Sequence, residues 1–214
     1  MTEPLSAPLV HIVDDDDAIR DALSWLFATR RVDTRAWSSG EAFLQAITSD
    51  TQGCVLLDIR MGGISGLEVF ERLRQMHSDL PVIFLTGHGD LPLAVNALKQ
   101  GAADFIEKPF NDNDLVDRVL EVLRSYQASQ AERASEDALE RRLETLSQRE
   151  REVLGLALEG RLNKQIAEEL NITMRTVEVH RARALEKMQA RTLLELARVL
   201  DPARLREDRG PAGA

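Results

Sequence analysis

Four consecutive aspartates, Asp14 to Asp17, follow directly on the short apolar run Leu9–Val13, and another, Asp58, follows the apolar run Cys54–Leu57. Thr86 stands after the run Val82–Leu85, and Lys108 lies just past a weaker run, Asp104–Ile106. If these runs are strands of one sheet that end at the same edge, then Asp14, Asp15, Asp58, Thr86 and Lys108 meet at one place. Three carboxylates brought together repel one another unless a cation neutralises them. Hard Mg²⁺ suits such an all-oxygen set and keeps several of its waters. The charge of Lys108 and the hydroxyl of Thr86 suit the oxygens of a phosphoryl group. A carboxylate in that company can itself accept the phosphoryl, as an acyl phosphate. Asp16 and Asp17 read instead as solvated acids at the start of a helix, where its dipole favours them. Asp58 taken alone would read as a strand-end cap; it is the four partners in register that give it chemistry.

The elements that must position these groups follow from periodicity. Apolar residues recur at helical spacing through Ile19, Leu23, Leu26 and Phe27, and further helix-like stretches lie near 40–48, 65–76, 91–100 and 112–124. Strands that are apolar throughout and alternate with helices indicate a parallel sheet covered on both faces. The spacing predicts a doubly wound α/β domain of five strand–helix units over residues 9–124. In such a sheet, ligands sit outside the carboxyl ends of the strands, which is where the polar residues fall. Cys54, inside a strand, reads as a small buried hydrophobe.

Residues 125–143 lack glycine and proline and are rich in Ala, Glu and Arg, which predicts a solvated helical linker. Beyond it the chain reads as four short helices. Ser147-Gln148-Arg149-Glu150 has the form of a capping box, and Gly160 stops the helix that it opens. A second helix, Lys164–Leu170, and a third, Met174–Gln189, flank the tight turn Asn171-Ile172-Thr173, and Leu193–Leu200 forms a fourth. On the third helix Val177, Ala184, Leu185 and Met188 share one face, expected to be the core side. Arg175, Glu178, Val179, Ala182 and Glu186 lie opposite, with Thr176, His180, Arg183 and Lys187 on a flank and the stem of Arg181 bordering the core. A small, partly apolar face beside a cationic flank fits the major groove of double-stranded DNA, the flank against phosphates. Residues 1–8 are expected to be flexible, and residues 201–214 a disordered tail.

The blocks Ile12-Val13-Asp14-Asp15, Leu56-Leu57-Asp58-Ile59-Arg60-Met61, Leu85-Thr86-Gly87-His88-Gly89 and Phe105-Ile106-Glu107-Lys108-Pro109-Phe110 resemble the receiver domain of two-component response regulators. The resemblance implies that a sensor histidine kinase phosphorylates Asp58. It also implies that Asp14, Asp15 and Asp58 bind Mg²⁺ with the backbone carbonyl of Arg60, that Thr86 and Phe105 are a switch pair, and that Lys108 contacts the phosphate. One departure is Met61-Gly62-Gly63, where the family places proline after the methionine. Two glycines there are expected to give the loop beside Asp58 more freedom.

Leu146–Leu154, Asn163-Lys164-Gln165-Ile166-Ala167 and Arg175–Arg181 are similar to the DNA-binding domain of the LuxR/NarL type, over about residues 144–200. The whole chain most resembles FixJ-type response regulators. This implies Glu178, Val179 and Ala182 as base-facing residues and Asn163, Lys164, Thr176, Arg183 and Lys187 as contacts to the DNA backbone, with Arg175 also among the DNA-binding residues. It further implies a homodimer, promoted by phosphorylation, through residues 91–124, with RNA polymerase as a further candidate partner.

Charge supports two units with different partners. Residues 1–124 carry 20 acids against 11 bases, whereas residues 145–214 carry 11 against 13. The single cysteine excludes an internal disulfide and a cysteine-based zinc site. No apolar run approaches the ~20 residues of a membrane span, and the N-terminus lacks the pattern of a signal peptide. The expectation is a cytoplasmic transcription factor with no membrane association and no turnover activity. A Mg²⁺-dependent phosphohydrolase with Asp58 as nucleophile would need an acid/base carboxylate close behind it, and position 60 is Arg. The other rival is an adaptor whose C-terminal helices bind protein.

Overall fold

The computed structural model describes residues 9–48, 50–87 and 91–205. The N-terminal residues 1–8, the His88-Gly89 part of one motif, the side chain of Leu91 and the tail from residue 206 lie outside the described residues. The chain divides into two compact units, one ending at Gln130 and the other beginning at Ala131.

The first unit is a parallel sheet of β1 (Leu9–Val13), β2 (Asp33–Trp37), β3 (Cys54–Asp58), β4 (Val82–Thr86) and β5 (Asp104–Glu107), in the order β2-β1-β3-β4-β5. The helices α1 (Asp17–Thr29), α2 (Gly40–Ala46), α3 (Gly66–Gln75), α4 (Leu91–Lys99) and α5 (Asp112–Glu144) alternate with the strands. The strand period sorts side chains between two cores. Val10, Ile12, Cys54, Leu56, Ile83 and Leu85 pack with Leu23 and Phe27 of α1 and Leu115 and Val119 of α5. Val13, Val55, Leu57, Val82 and Phe84 pack on the other face with Phe43 of α2, Phe70 of α3 and Ala97 of α4. Both faces are dry, which is why β1, β3 and β4 read as unbroken apolar runs. At the edge, β2 is largely exposed and polar, so periodicity does not reveal it.

Helix starts follow their capping residues. Asp16 accepts from the Ala18 amide and so caps α1, in keeping with its reading as a helix-terminal acid. Ser65 and Glu68 form a capping box on α3. With no glycine or proline between Asp112 and Glu144, the helix of 112–124 and the linker of 125–143 are one continuous helix, α5. The linker is therefore not a separate element.

The second unit contains α6 (Gln148–Leu158), α7 (Asn163–Glu169), α8 (Met174–Lys187) and α9 (Leu193–Ala197). The expected Ser147/Glu150 capping box opens α6. The chain does not lose structure at residue 201. Pro202–Leu205 forms a 3₁₀ turn, and Leu205 is buried with Leu154, Ala184, Met188, Leu196 and Leu200. Leu205 packs over Gly155, where even a Cβ would meet it only at an ordinary contact distance of 3.9 Å. The expected disordered tail is thus corrected at its first residues, because an apolar side chain there completes a core. Leu205→Ala is expected to destabilise this unit by about 2–3 kcal/mol, in the range of buried leucine truncations. Hydrogen exchange at the Leu154 and Met188 amides, measured in the full chain, checks it.

Candidate functional site

Asp14 follows β1, Asp58 ends β3, Thr86 ends β4 and Lys108 follows β5, so the sheet order places all four at its carboxyl edge. Asp14 is 1% exposed and Asp58 7%, so each carboxylate needs a partner from the protein. Lys108 supplies it to both: its Nζ donates to Asp14 Oδ2 at 2.8 Å and to Asp58 Oδ1 at 2.7 Å. The Arg60 amide donates to Asp58 Oδ2 at 2.9 Å, and the Asp16 amide to Asp14 Oδ1 at 2.9 Å. Burial pushes the Asp58 carboxyl up from its ordinary value, the hydrogen bond and charge of Lys108 oppose the rise, and the charge of Asp14 adds to it. Burial disfavours the Lys108 ammonium, but Asp14 and Asp58 outweigh burial and raise its pKa.

Thr86 is buried, and its hydroxyl donates to the Ile106 carbonyl at a long 3.5 Å. Phe105 is half-buried against the core cluster beneath α3 and α4. The Lys108–Pro109 bond is cis.

Asp15 is exposed and does not join Asp14 and Asp58 on Lys108; its Oδ2 accepts from the Gly62 amide at 2.8 Å. Among the described residues, no group of three or more acids, histidines or cysteines is gathered to hold a metal ion. The oxygen chemistry fits Mg²⁺ nonetheless: two buried carboxylates share one ammonium, and a third stands on the adjoining turn.

The loop after Asp58 is more restrained than its glycines suggest. Besides the Asp15 bond, Glu41 of α2 accepts from the Ile64 amide at 3.0 Å. Gly63 lies at φ +84, and Gly66 lets α3 begin so close to β3 that a Cβ would meet the Asp58 carbonyl oxygen at 2.2 Å. The expected looseness is therefore corrected at Gly62 and Ile64. Glu41 and Arg20 are absent from the sequence reading. Arg20 donates to the Asp14 carbonyl at 2.6 Å and pairs with Asp17, and its i,i+3 spacing from Asp17 was the available signal.

In the second unit, α8 buries Val177 and Ala184, with Met188 buried just past its end, and leaves Arg175, Glu178, Val179, Ala182, Arg183 and Glu186 exposed, as its periodicity predicts. Lys164 is exposed at the start of α7. Asn163 Oδ1 accepts from the Arg181 guanidinium at 3.1 Å, which ties α7 to α8. Lys187 differs from expectation. Its ammonium donates to Glu150 Oε2 at 2.6 Å and to the Thr145 carbonyl at 2.9 Å. Glu150 is buried, and a buried carboxylate claims the nearest cation. Lys187 is thus engaged within its own unit.

Residues 10–120 match the response regulator receiver domain, and residues 144–200 match the bacterial regulatory proteins of the luxR family. The chain belongs to the response regulators. This response regulator is 50% identical over 192 residues to the C4-dicarboxylate transport transcriptional regulatory protein DctR of Rhodobacter capsulatus, covering 89% of this chain and 98% of that one. It is 45% identical over 197 residues to the transcriptional regulatory protein FixJ of Azorhizobium caulinodans, covering 92% of each. Among solved structures, response regulator StyR aligns with a TM-score of 0.82 at 36% identity, over 90% of this chain and 98% of that one. Full-length FixJ from B. japonicum aligns at 0.58 and 39% identity, over 92% and 96%. The protein is a DNA-binding transcriptional regulator of a two-component system, and the members of its family act as regulators rather than catalysts. No described helix is long and apolar enough to cross a membrane.

The Glu150–Lys187 pair gives a pH prediction. Burial raises the Glu150 carboxyl, but Lys187 and the Ser147 amide and hydroxyl outweigh it and hold the pKa below its ordinary 4.5. A group lowered in the folded state contributes stability above its unfolded pKa and loses it as pH falls through the folded one. Lys187→Gln is expected to cost about 1–3 kcal/mol at neutral pH, by leaving a buried charge short of a partner. The cost fades once acid protonates Glu150. Urea unfolding followed by circular dichroism at neutral and acid pH measures both.

Proposed function

We propose that Asp58 is the phosphoryl acceptor and that its phosphorylation switches DNA binding through α8. The observation that carries this reading is the Lys108 ammonium bridging Asp14 and Asp58 at the carboxyl edge of the sheet. A carboxylate oxygen of Asp58 displaces the imidazole nitrogen of the kinase's phosphohistidine: the P–O bond forms as the P–N bond breaks, leaving an acyl phosphate. Mg²⁺, held by Asp14, Asp15, Asp58 and the Arg60 carbonyl, would neutralise charge on the phosphoryl oxygens. Lys108, already within hydrogen-bonding distance of Asp58, passes from the carboxylate to a phosphoryl oxygen. The Thr86 hydroxyl, whose bond to the Ile106 carbonyl is long, turns to another phosphoryl oxygen, and Phe105 fills the space it leaves. The protein accepts and then loses its phosphoryl group without turning over a substrate, and it works in the cytoplasm, where kinase and DNA are both available.

The surface of residues 91–124 answers the switch. Within it Leu93 and Val95 of α4 are 44% and 41% exposed, α4 also carries Lys99, and Arg118 pairs with Asp104 at 2.7 Å. Apolar side chains among opposite charges suit a two-fold, self-complementary contact. Two DNA-binding units on one dimer then read paired half-sites with increased avidity, and RNA polymerase is the machinery they act upon. Glu178, Val179 and Ala182 face the bases, with Arg175 on the same side of α8, while Asn163, Lys164, Thr176 and Arg183 line the phosphates.

Asp58→Asn is expected to fold and to take up no phosphate from acetyl phosphate, which mass measurement checks; stable incorporation elsewhere in that variant would overturn the assignment. Glu178→Ala is expected to relax preference at one base pair by ~1–3 kcal/mol. Arg183→Ala should instead weaken all sequences alike and flatten the salt dependence. A base-by-base affinity series at two salt concentrations separates them.

A further inference from the structure

Two carboxylates from separate elements grip the backbone of the loop that follows Asp58. Glu41, in the first turn of α2, accepts from the Ile64 amide at 3.0 Å, and Asp15, on the turn after β1, accepts from the Gly62 amide at 2.8 Å. The second bond exists because residue 62 has an N–H. Proline, which the sequence resemblance places at this position, has none. Asp15 is thereby set apart from its neighbours. Asp14 and Asp58 meet on Lys108, whereas the Asp15 carboxylate is turned to the loop.

We propose that the Asp15–Gly62 hydrogen bond is a latch that a divalent cation must open, so that the glycine at position 62 lowers the readiness with which this chain takes up Mg²⁺. The inference rests on the reading of the Asp14–Asp58 pocket as a cation site and concerns the regulation of that site. A hydrogen bond to an ionised carboxylate is about twice as strong as a neutral one, so it competes with a metal for the same lone pairs. Opening the latch does not release the loop, because Glu41 still holds Ile64. That anchor persists as a carboxylate: its own amide and that of Ile64 hold the Glu41 carboxyl below its ordinary value. The chain thus binds its cation by exchanging one partner of Asp15 for another on a loop that stays anchored.

Gly62 permits a clean test. Unlike Gly63, it does not occupy the left-handed region, and a Cβ built on it meets only Asp15 Oδ2, at an ordinary 3.6 Å. Gly62→Ala keeps the donor, Gly62→Pro removes it, and both restrict the backbone. Titration calorimetry with MgCl₂ on the full unphosphorylated chain is expected to give a Kd about tenfold lower for Gly62→Pro than for Gly62→Ala, equivalent to ~1.4 kcal/mol. Equal affinities would overturn the latch and leave the cation site standing. If neither variant nor the wild type bound Mg²⁺, the cation site itself would be wrong, and the latch with it. A second measurement uses no variant. Hydrogen exchange at the Gly62 amide of the wild-type protein is expected to accelerate when Mg²⁺ saturates the site. Unchanged or increased protection would mean that the bond survives metal binding, and would overturn the proposal.

Discussion

The ammonium of Lys108 holds two buried carboxylates that could not otherwise share one edge of a sheet. Removing Asp14 and Asp58 from water is costly, and their mutual repulsion adds to the cost unless a cation lies between them. The strand order brings the three groups together. With β1 beside β3, the two acids stand on adjacent strands, and the stem of Lys108 reaches them from beyond β5. The Lys108 amide is itself tied to the Thr86 carbonyl at 2.7 Å, so the position of the ammonium depends on the end of β4. Any new negative charge at Asp58 therefore acts on the ends of β1, β4 and β5 at once.

The second unit repeats the physics for another purpose. Glu150 caps its own helix through Ser147 and, being buried, draws Lys187 from the end of α8. In the first unit two buried acids share one lysine at the end of the sheet. In the second the buried acid fixes the start of α6 against the end of α8. Asn163 and Arg181 make a similar tie between α7 and α8. The helix that carries Glu178 and Val179 is thus located by polar contacts at several points besides its apolar face.

Most of this was legible in the sequence because strand period and charge placement agreed. Apolar runs ending in Asp14, Asp58 and Thr86 show at once that both sheet faces are covered and where the strands stop. The outward face of α8 follows from helical spacing alone. What stayed hidden was of two kinds. The strand β2 is polar and peripheral, so no apolar pattern marks it. The others are long-range pairings of ordinary residues: Lys187 with Glu150, Asp15 with the Gly62 amide, Glu41 with Ile64, and Leu205 in the core of α6 to α9. Each joins positions whose proximity is set by tertiary packing, and no local spacing announces it. The glycines of the loop carried a misleading signal, because conformational freedom in isolation does not reveal which acceptors wait for their amides.

The polarity that hides β2 has a consequence of its own. A sheet edge exposes unpaired N–H and C=O groups and is a ready template for strand addition or aggregation. Here the inner strands are apolar apart from His11 and the terminal Asp58 and Thr86, while the edges carry charge: Asp33 and Arg35 on β2, Asp104 and Glu107 on β5. Charged edges disfavour extension of the sheet by another chain. Pairing of two copies strand to strand is thereby disfavoured, which leaves the helical surfaces as the places where contacts between side chains can be made and released without merging two sheets into one.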